Sequence, residues 1–315
     1  MFDLVTLGES MVCFSPTELG PIRHVTTFNK HVVGAESNVA IGMARLGHRV
    51  SWLSRLSNDE FGKYILGTLR SEKVDVSQVL FDQDASTSVM FKERRKTGLI
   101  NVYYYRHYSA ASRLSSEDIQ EEWIKKARIL HLTGITPALS DSCAEAVNKA
   151  INIAHKNNVK VSVDPNIRYK LWKNERKMKE ILSQLVKSAD VLLPSLEEGR
   201  FLTGLVSVEE IADHFFEQGT EVVVIKNGKE GAYLHDQEGG RWISSVEVET
   251  VDPVGAGDAF AAGFLSGYLL GLDNEQAVKK GNLLGSFAVS CRGDWECLPS
   301  KEELDNVFSS EDVKR

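Results

Sequence analysis

The run Asp252-Pro253-Val254-Gly255-Ala256-Gly257-Asp258 holds the residue types and spacing most suited to chemistry in this sequence. Gly255 and Gly257 lack a Cβ, so the backbone there can turn sharply and approach a ligand. Phe260, Gly263, Phe264 and Gly267 then recur at helical spacing, which predicts a helix starting at the glycines. The first N–H groups of a helix have no acceptor within it and suit an anion. Asp258 falls in the first turn of that helix. Such an acid is either a cap that compensates the helix dipole or a proton acceptor beside an anion site. The dipole would keep it ionised. Upstream, Val246, Val248 and Thr250 alternate as in a strand that leads into the turn. Two other phosphate-binding loops are excluded. Phe260 stands where G-x-G-x-x-G requires its third glycine, and no Lys-Ser or Lys-Thr pair follows the glycines as a P-loop would need.

A second group of residues lies at Val102-Tyr103-Tyr104-Tyr105-Arg106. Strand alternation puts Tyr104 and Arg106 on one face, with Tyr103 and Tyr105 on the other. A tyrosine hydroxyl beside a guanidinium fork is a natural carboxylate receptor. The same residues also read as an aromatic strand pair with a surface charge. Arg168, in Asp164-Pro165-Asn166-Ile167-Arg168, supplies another cation just after an apolar run.

The elements that must position these groups alternate along the chain. Apolar runs at 4–7, 50–53, 129–132, 159–163, 191–193 and 222–225 read as strands. Helical patterns occupy 36–46, 60–71, 140–157, 175–187 and 207–218. This alternation predicts an α/β fold with a mostly parallel central sheet and helices on both faces. Two stretches break it. Residues 13–33 hold short extended pieces punctuated by Pro16, Gly20 and Pro21, and 87–106 reads as a hairpin turning at Lys96-Thr97-Gly98. These are expected to form a small β-sheet lid over the carboxyl edge of the main sheet, where such folds bind ligands.

Composition bounds the rest. The 315 residues are 42% hydrophobic and 26% charged, with 37 Lys and Arg against 44 Asp and Glu, a formal charge of −7. That balance argues against a bulk nucleic-acid or membrane-surface binder. The first eight residues read as a strand and lack the basic and apolar regions of a signal peptide, so a cytoplasmic location is expected. Residues 259–272 are too short to span a membrane. Of Cys13, Cys143, Cys291 and Cys297, none forms a C-x-x-C pair. Cys291 and Cys297 are close enough in sequence to meet, but reduced thiols are expected in such a compartment.

Four motifs occurring in order resemble one family. Asp252 to Asp258 matches the D-[TP]-x-G-A-G-D signature of the ribokinase-like (PfkB) carbohydrate kinases. Gly34-Ala35-Glu36-Ser37-Asn38-Val39-Ala40 is similar to its G-A-x-x-N-x-A motif, Asp164-Pro165-Asn166-x-Arg168 follows a strand as in the family, and Lys226-Asn227-Gly228-x-x-Gly231 resembles its K-x-G-x-x-G nucleotide loop. The resemblance runs over essentially the whole chain. It implies a single ribokinase-like domain over 1–315, with Asp258 as general base and the N–H groups of Gly255, Ala256 and Gly257 as an anion hole. It places Gly34 and Asn38 at the sugar. Lys226, Gly228, Gly231, the 255–257 turn and Asn282 would hold ATP. Glu198 would position Mg²⁺ through water, and a monovalent cation such as K⁺ is frequent in relatives. Pro253 stands where many members have threonine, and Ser195 where the family's N-x-x-E has asparagine.

Within the family, Tyr104, Arg106, Arg168 and Asp294 are most like the acceptor-binding residues of the 2-keto-3-deoxygluconate kinases. A neutral sugar would leave Arg106 and Arg168 as buried, unpaired cations, whereas a sugar acid would neutralise them. The expected reaction is therefore phosphorylation of that acid by ATP, with a neutral ketose such as fructose as the alternative acceptor. A homo-oligomer formed through the lid is what the resemblance implies for partners, and no nucleic acid or membrane is expected.

Overall fold

The structure, a computed structural model, describes residues 1–96 and 99–310. Thr97 and Gly98 of the expected turn, and residues 311–315 of the polar tail, lie outside them.

Among the described residues the strands are β1 (Phe2–Leu7), β2 (Met11–Pro16), β3 (Phe28–Val33), β4 (Val50–Leu53), β5 (Arg55–Ser57), β6 (Leu80–Asp82), β7 (Val89–Lys96), β8 (Leu99–Tyr105), β9 (Ala127–Thr133), β10 (Lys160–Asp164), β11 (Val191–Leu192), β12 (Val222–Lys226), β13 (Ala232–Asp236) and β14 (Gly239–Ile243). Eight of them form the main sheet in the order β14-β13-β12-β11-β10-β9-β1-β4. From β12 to β4 every pairing is parallel, so the carboxyl ends of six strands share one edge. The chain leaves β1 in one direction to β4 and later returns on its other side with β9. That reversal opens a crevice at the carboxyl edge.

Both faces of this sheet are covered, and strand alternation decides which side chain goes where. Leu4, Val222 and Val224 pack into one core with Phe264 and Leu284, while Val5, Leu7, Val223 and Ile225 pack into the other with Val147 and Leu182. The helices Ala35–Arg45, Ala256–Leu269 and Asn274–Val289 supply the first layer. Gly263 permits the last two to touch, since a Cβ there would lie 2.6 Å from the Lys280 carbonyl oxygen.

A separate four-stranded sheet has the order β3-β2-β7-β8. Its inner face holds a small cluster of Met11, Cys13, Val33 and Met90, against which Tyr104 packs. Two departures from expectation are local. Val246, Val248 and Thr250 do not form a strand: residues 244–250 run without a ladder partner, and Val246 and Val248 are exposed. Alternation fixes the faces of a strand but does not create its neighbour. The edge there is already closed by the antiparallel pair β13–β14. Cys291 and Cys297, expected as thiols, are joined in a disulfide that closes the loop carrying Asp294, while Cys13 and Cys143 are free and buried.

Candidate active site

Parallel pairing brings the ends of distant segments to one edge. Glu9 follows β1, Asp164 ends β10 with Pro165 to Arg168 after it, Ser195 follows β11, and Lys226 ends β12. The helix Ala256–Leu269 begins among them, with Gly255 as its N-cap at φ +82°. A Cβ on Gly255 would lie 2.2 Å from the Asp294 carbonyl oxygen, so only glycine fits this left-handed, crowded position. Gly34 is similarly constrained, since a Cβ would sit 2.5 Å from the Glu9 carbonyl oxygen.

Asp258 stands in the first turn of that helix, partly open to solvent yet ringed by protein. Its Oδ2 accepts a hydrogen bond from Asn38 Nδ2 at 2.8 Å, and its Oδ1 one from Asn166 Nδ2 at 3.4 Å. Burial pushes the carboxyl up to about 7, against the Asn38 hydrogen bond, while Asp164 and Asp294 raise it and Arg168 lowers it. This shift opposes the expectation that the helix dipole keeps Asp258 ionised. Desolvation and two nearby carboxylates outweigh a partial charge whose reach is one turn.

Lys226 crosses from β12 toward the same turn. Its Nζ donates to Asp164 Oδ2 at 2.5 Å, and a Cβ on Gly257 would be 3.5 Å from it. Burial works against its charge, but Asp164 and Glu198 outweigh burial and hold the ammonium above the usual lysine range. A fixed cation therefore lies beside N–H groups that have no acceptor within the helix. Together they suit an oligophosphate. Gly228 and Gly231 flank the short turn just beyond Lys226. Asn282 is buried on the helix Asn274–Val289, and its amide donates to the carbonyl oxygens of Ile243 and Ser244. It steadies the segment after β14 that borders this region.

Glu198 and Ser195 form a capping box at the start of the helix Leu196–Thr203. Ser195 Oγ accepts the Glu198 N–H at 3.3 Å, and Glu198 Oε2 accepts the Ser195 N–H at 2.8 Å. Glu198 Oε1 takes the Ile167 N–H at 2.7 Å, which ties this helix to the Asp164–Arg168 segment. Serine at 195 is thereby explained as an N-cap. Among the described residues no group of three or more His, Cys, Asp or Glu could hold a metal ion. Both Glu198 carboxylate oxygens are engaged by backbone N–H groups.

The groups expected to bind an acceptor are held by separate contacts. Arg106 is buried and its guanidinium pairs with the buried Glu9 carboxylate, which also accepts from Ser109 Oγ at 2.8 Å. This corrects the expectation that Arg106 waits unpaired for an acid. Its cationic group stacks 5.4 Å from the Tyr104 ring. Arg106 Nε, Asn38 Oδ1 and Asn166 Oδ1 are buried without a hydrogen-bond partner. Arg168, expected to be buried, is instead exposed, and no carboxylate lies within salt-bridge distance of it among the described residues. Asp294 accepts from Lys92 Nζ at 3.2 Å and is buried.

Asn166, Glu9, Lys92 and Arg94 were not singled out by residue type alone. Asn166 was legible inside its motif, and its φ of +38° marks a constrained turn. Glu9 gave no signal, because its partner is 97 residues away. Two clefts of about 650 and 600 Å³ lie elsewhere, one beside Arg45 and Glu303 and one beside Asp236 and Lys279, and neither contains Asp258.

Known proteins resemble this chain over nearly its whole length. Residues 1–301 match the pfkB family carbohydrate kinase model. The chain is 41% identical over 311 residues to the 2-dehydro-3-deoxygluconokinase of Bacillus subtilis strain 168, covering 98% of this chain and 96% of the relative. It is 37% identical over 313 residues to the enzyme of the same name from Thermoproteus tenax, covering 98% and 95%. Among solved structures, the PfkB protein of Polaromonas sp. JS666 superposes with a TM-score of 0.90 at 39% identity, over 97% of this chain and 99% of that one. A double mutant of the Vibrio cholerae O395 fructokinase, in a form bound to fructose, ADP and potassium ion, superposes with a TM-score of 0.87 at 29% identity, over 97% and 98%. The Asp258 turn, the Lys226 strand end and the two-sheet architecture thus sit in a chain that belongs to the pfkB family of carbohydrate kinases.

Proposed function

We propose that this protein transfers the γ-phosphoryl group of ATP to the 6-hydroxyl of 2-keto-3-deoxygluconate (2-dehydro-3-deoxygluconate), giving the 6-phosphate and ADP, with Asp258 as general base. The observation that carries this reading is the position of Asp258. It lies in the first turn of the helix, held by Asn38 and Asn166, whose Oδ1 atoms are buried without a partner, and the cation Lys226 lies close to Gly257. A hydroxyl placed against Asp258 can lose its proton to the carboxylate while the N–H groups of Gly255, Ala256 and Gly257 stabilise charge on the phosphoryl oxygens. Phosphoryl transfer depends mostly on such positioning and charge stabilisation. Mg²⁺ carried by the nucleotide supplies further neutralisation of the phosphates, and a monovalent cation is an auxiliary that the potassium-bound fructokinase makes reasonable. The nucleotide lies along Lys226, Gly228, Gly231 and Asn282.

Selection of an acid rests on Arg168, the free Arg106 Nε–H and Tyr104, since the Arg106 charge is already matched by Glu9. Gly34 and Asp294 complete the acceptor wall. The two relatives named for the same acid support this choice. The Glu9–Arg106 pair favours the second reading, a fructokinase, because it lets the pocket accept a neutral ketose without an unpaired cation. Parallel coupled assays with both sugars decide. Turnover of fructose well above that of the acid sinks the first reading, and wild-type turnover by Asp258→Asn sinks the base. Arg168→Ala is expected to raise KM for the acid by about tenfold or more, the loss of one charge-assisted hydrogen bond. The whole chain is proposed to act as one kinase unit with the four-stranded sheet as its lid. In the cytoplasm it would form a dimer through the lid's outer face, where Tyr103 and Tyr105 are exposed.

A further inference from the structure

Strand β7 carries two cations at alternate positions, Lys92 and Arg94, so both point from the same face of the small sheet. Each crosses to a carboxylate of the catalytic wall. Lys92 Nζ donates to Asp294 Oδ1 at 3.2 Å, and Arg94 Nη2 donates to Asp252 Oδ2 at 2.9 Å. The Lys92–Asp294 pair is buried, and the second pair joins the part-buried Arg94 to a buried Asp252. The two acids belong to segments that touch. Asp252 opens the turn and its Oδ1 accepts the Val254 N–H at 3.2 Å, while Gly255 presses against the Asp294 backbone. The two bridges therefore converge on the turn that presents Gly255, Ala256 and Gly257.

Stability alone does not account for this arrangement. Two charges taken out of water lose about as much solvation as their attraction returns, and apolar residues of similar volume would hold the sheets together as well. An ion pair adds what packing lacks, a fixed direction and distance, because an unpaired buried charge is strongly disfavoured. We infer that Lys92 and Arg94 are positioning residues for phosphoryl transfer, a two-point latch by which the small sheet sets the placement of the 252–257 turn and of Asp294. Neither touches the reacting atoms. Lys92 engages Asp294 through Oδ1, and Arg94 offsets the charge of Asp252 at the start of the turn.

This inference rests on the reading of that turn as the anion hole. The test uses the full chain with ATP, Mg²⁺ and 2-keto-3-deoxygluconate, and compares Lys92→Met, Arg94→Met, Lys92→Arg and Arg94→Lys. Displacement of a catalytic turn by about 1 Å can cost as much as a hundredfold in rate. The Met variants are expected to lose about tenfold or more in kcat, with KM for ATP changed by less than about threefold. The conservative variants are expected to fall between them and the wild type. A merely structural role would lower the melting temperature and leave kcat per folded molecule unchanged, which overturns the latch. Should the Met variants not fold, Arg94→Lys decides, because it keeps the charge and loses the forked geometry: reduced kcat at an unchanged melting temperature supports the latch, and wild-type kcat overturns it. Asp258→Asn serves as the reference. If it is active, the proposed mechanism itself is wrong. If it is inactive while all four latch variants turn over normally, only the latch is.

Discussion

Burial lifts the Asp258 carboxyl to about 7, well above the usual carboxylate range. A general base must be unprotonated, so kcat/KM for the acceptor is expected to rise with pH and level off above an apparent value near 7. Asp258→Asn should remove that dependence together with about 10²- to 10⁴-fold of the rate. The same shift has a cost for folding. A carboxyl whose folded value exceeds its ordinary 3.8 contributes stability that is fully present below the unfolded value and is lost as pH rises through about 7. Asp258→Asn is therefore expected to raise the melting temperature more at pH 8 than at pH 5. Thermal scans at the two values check this, and an equal change at both would mean that Asp258 is not the titrating group. The residues around it explain why sequence reading went only so far. Asp258 and Asn38 were legible from their motifs, but the carboxylates of Asp164 and Asp294 that raise Asp258 come from other segments.

Among the elements, the turn at Gly255 and the loop at 291–297 depend on each other. Gly255→Ala would put a methyl 2.2 Å from the Asp294 carbonyl oxygen at a left-handed φ. A non-glycine residue held there costs about 1–3 kcal/mol. The expected outcome is a lower melting temperature together with a kcat loss larger than instability explains, measured on the folded fraction. The disulfide Cys291–Cys297 closes a short loop and contributes on the order of 2 kcal/mol by restricting the unfolded chain. Mild reductant should lower the melting temperature by a few degrees, and Cys291→Ser should make the protein insensitive to it. An unchanged melting temperature under reductant would show that the bond does not persist in solution. The strands of the main sheet and the helices over it were legible because their apolar periodicity matches their burial. The 244–250 segment was misread for the converse reason: it alternates, yet no strand lies beside it.

For the whole molecule, the small sheet presents two different faces. Its inner face carries Lys92, Arg94 and Tyr104 toward the main sheet, and its outer face stacks Phe14 on Phe91 and exposes Tyr105 at 65%. The exposed tyrosines of this face, Tyr103 and Tyr105, suit a second copy. Sedimentation is expected to show a dimer that Tyr105→Asp shifts toward monomer, and a monomeric wild type would refute the lid interface. Among the described residues no helix is long and apolar enough to cross a membrane.

The sequence by itself determined the alternating α/β order, the four motifs and the turn that carries Asp258. These are local facts, written in periodicity and in spacing within a few residues. Only the tertiary structure decided that Glu9 neutralises Arg106, that Lys92 and Arg94 bridge the two sheets, and that Asp258 is raised toward 7. Those outcomes are set by which side chains meet across 97 to more than 150 residues of chain and by how much water the meeting excludes. Burial and pairing are properties of the folded whole, and no window of sequence contains them.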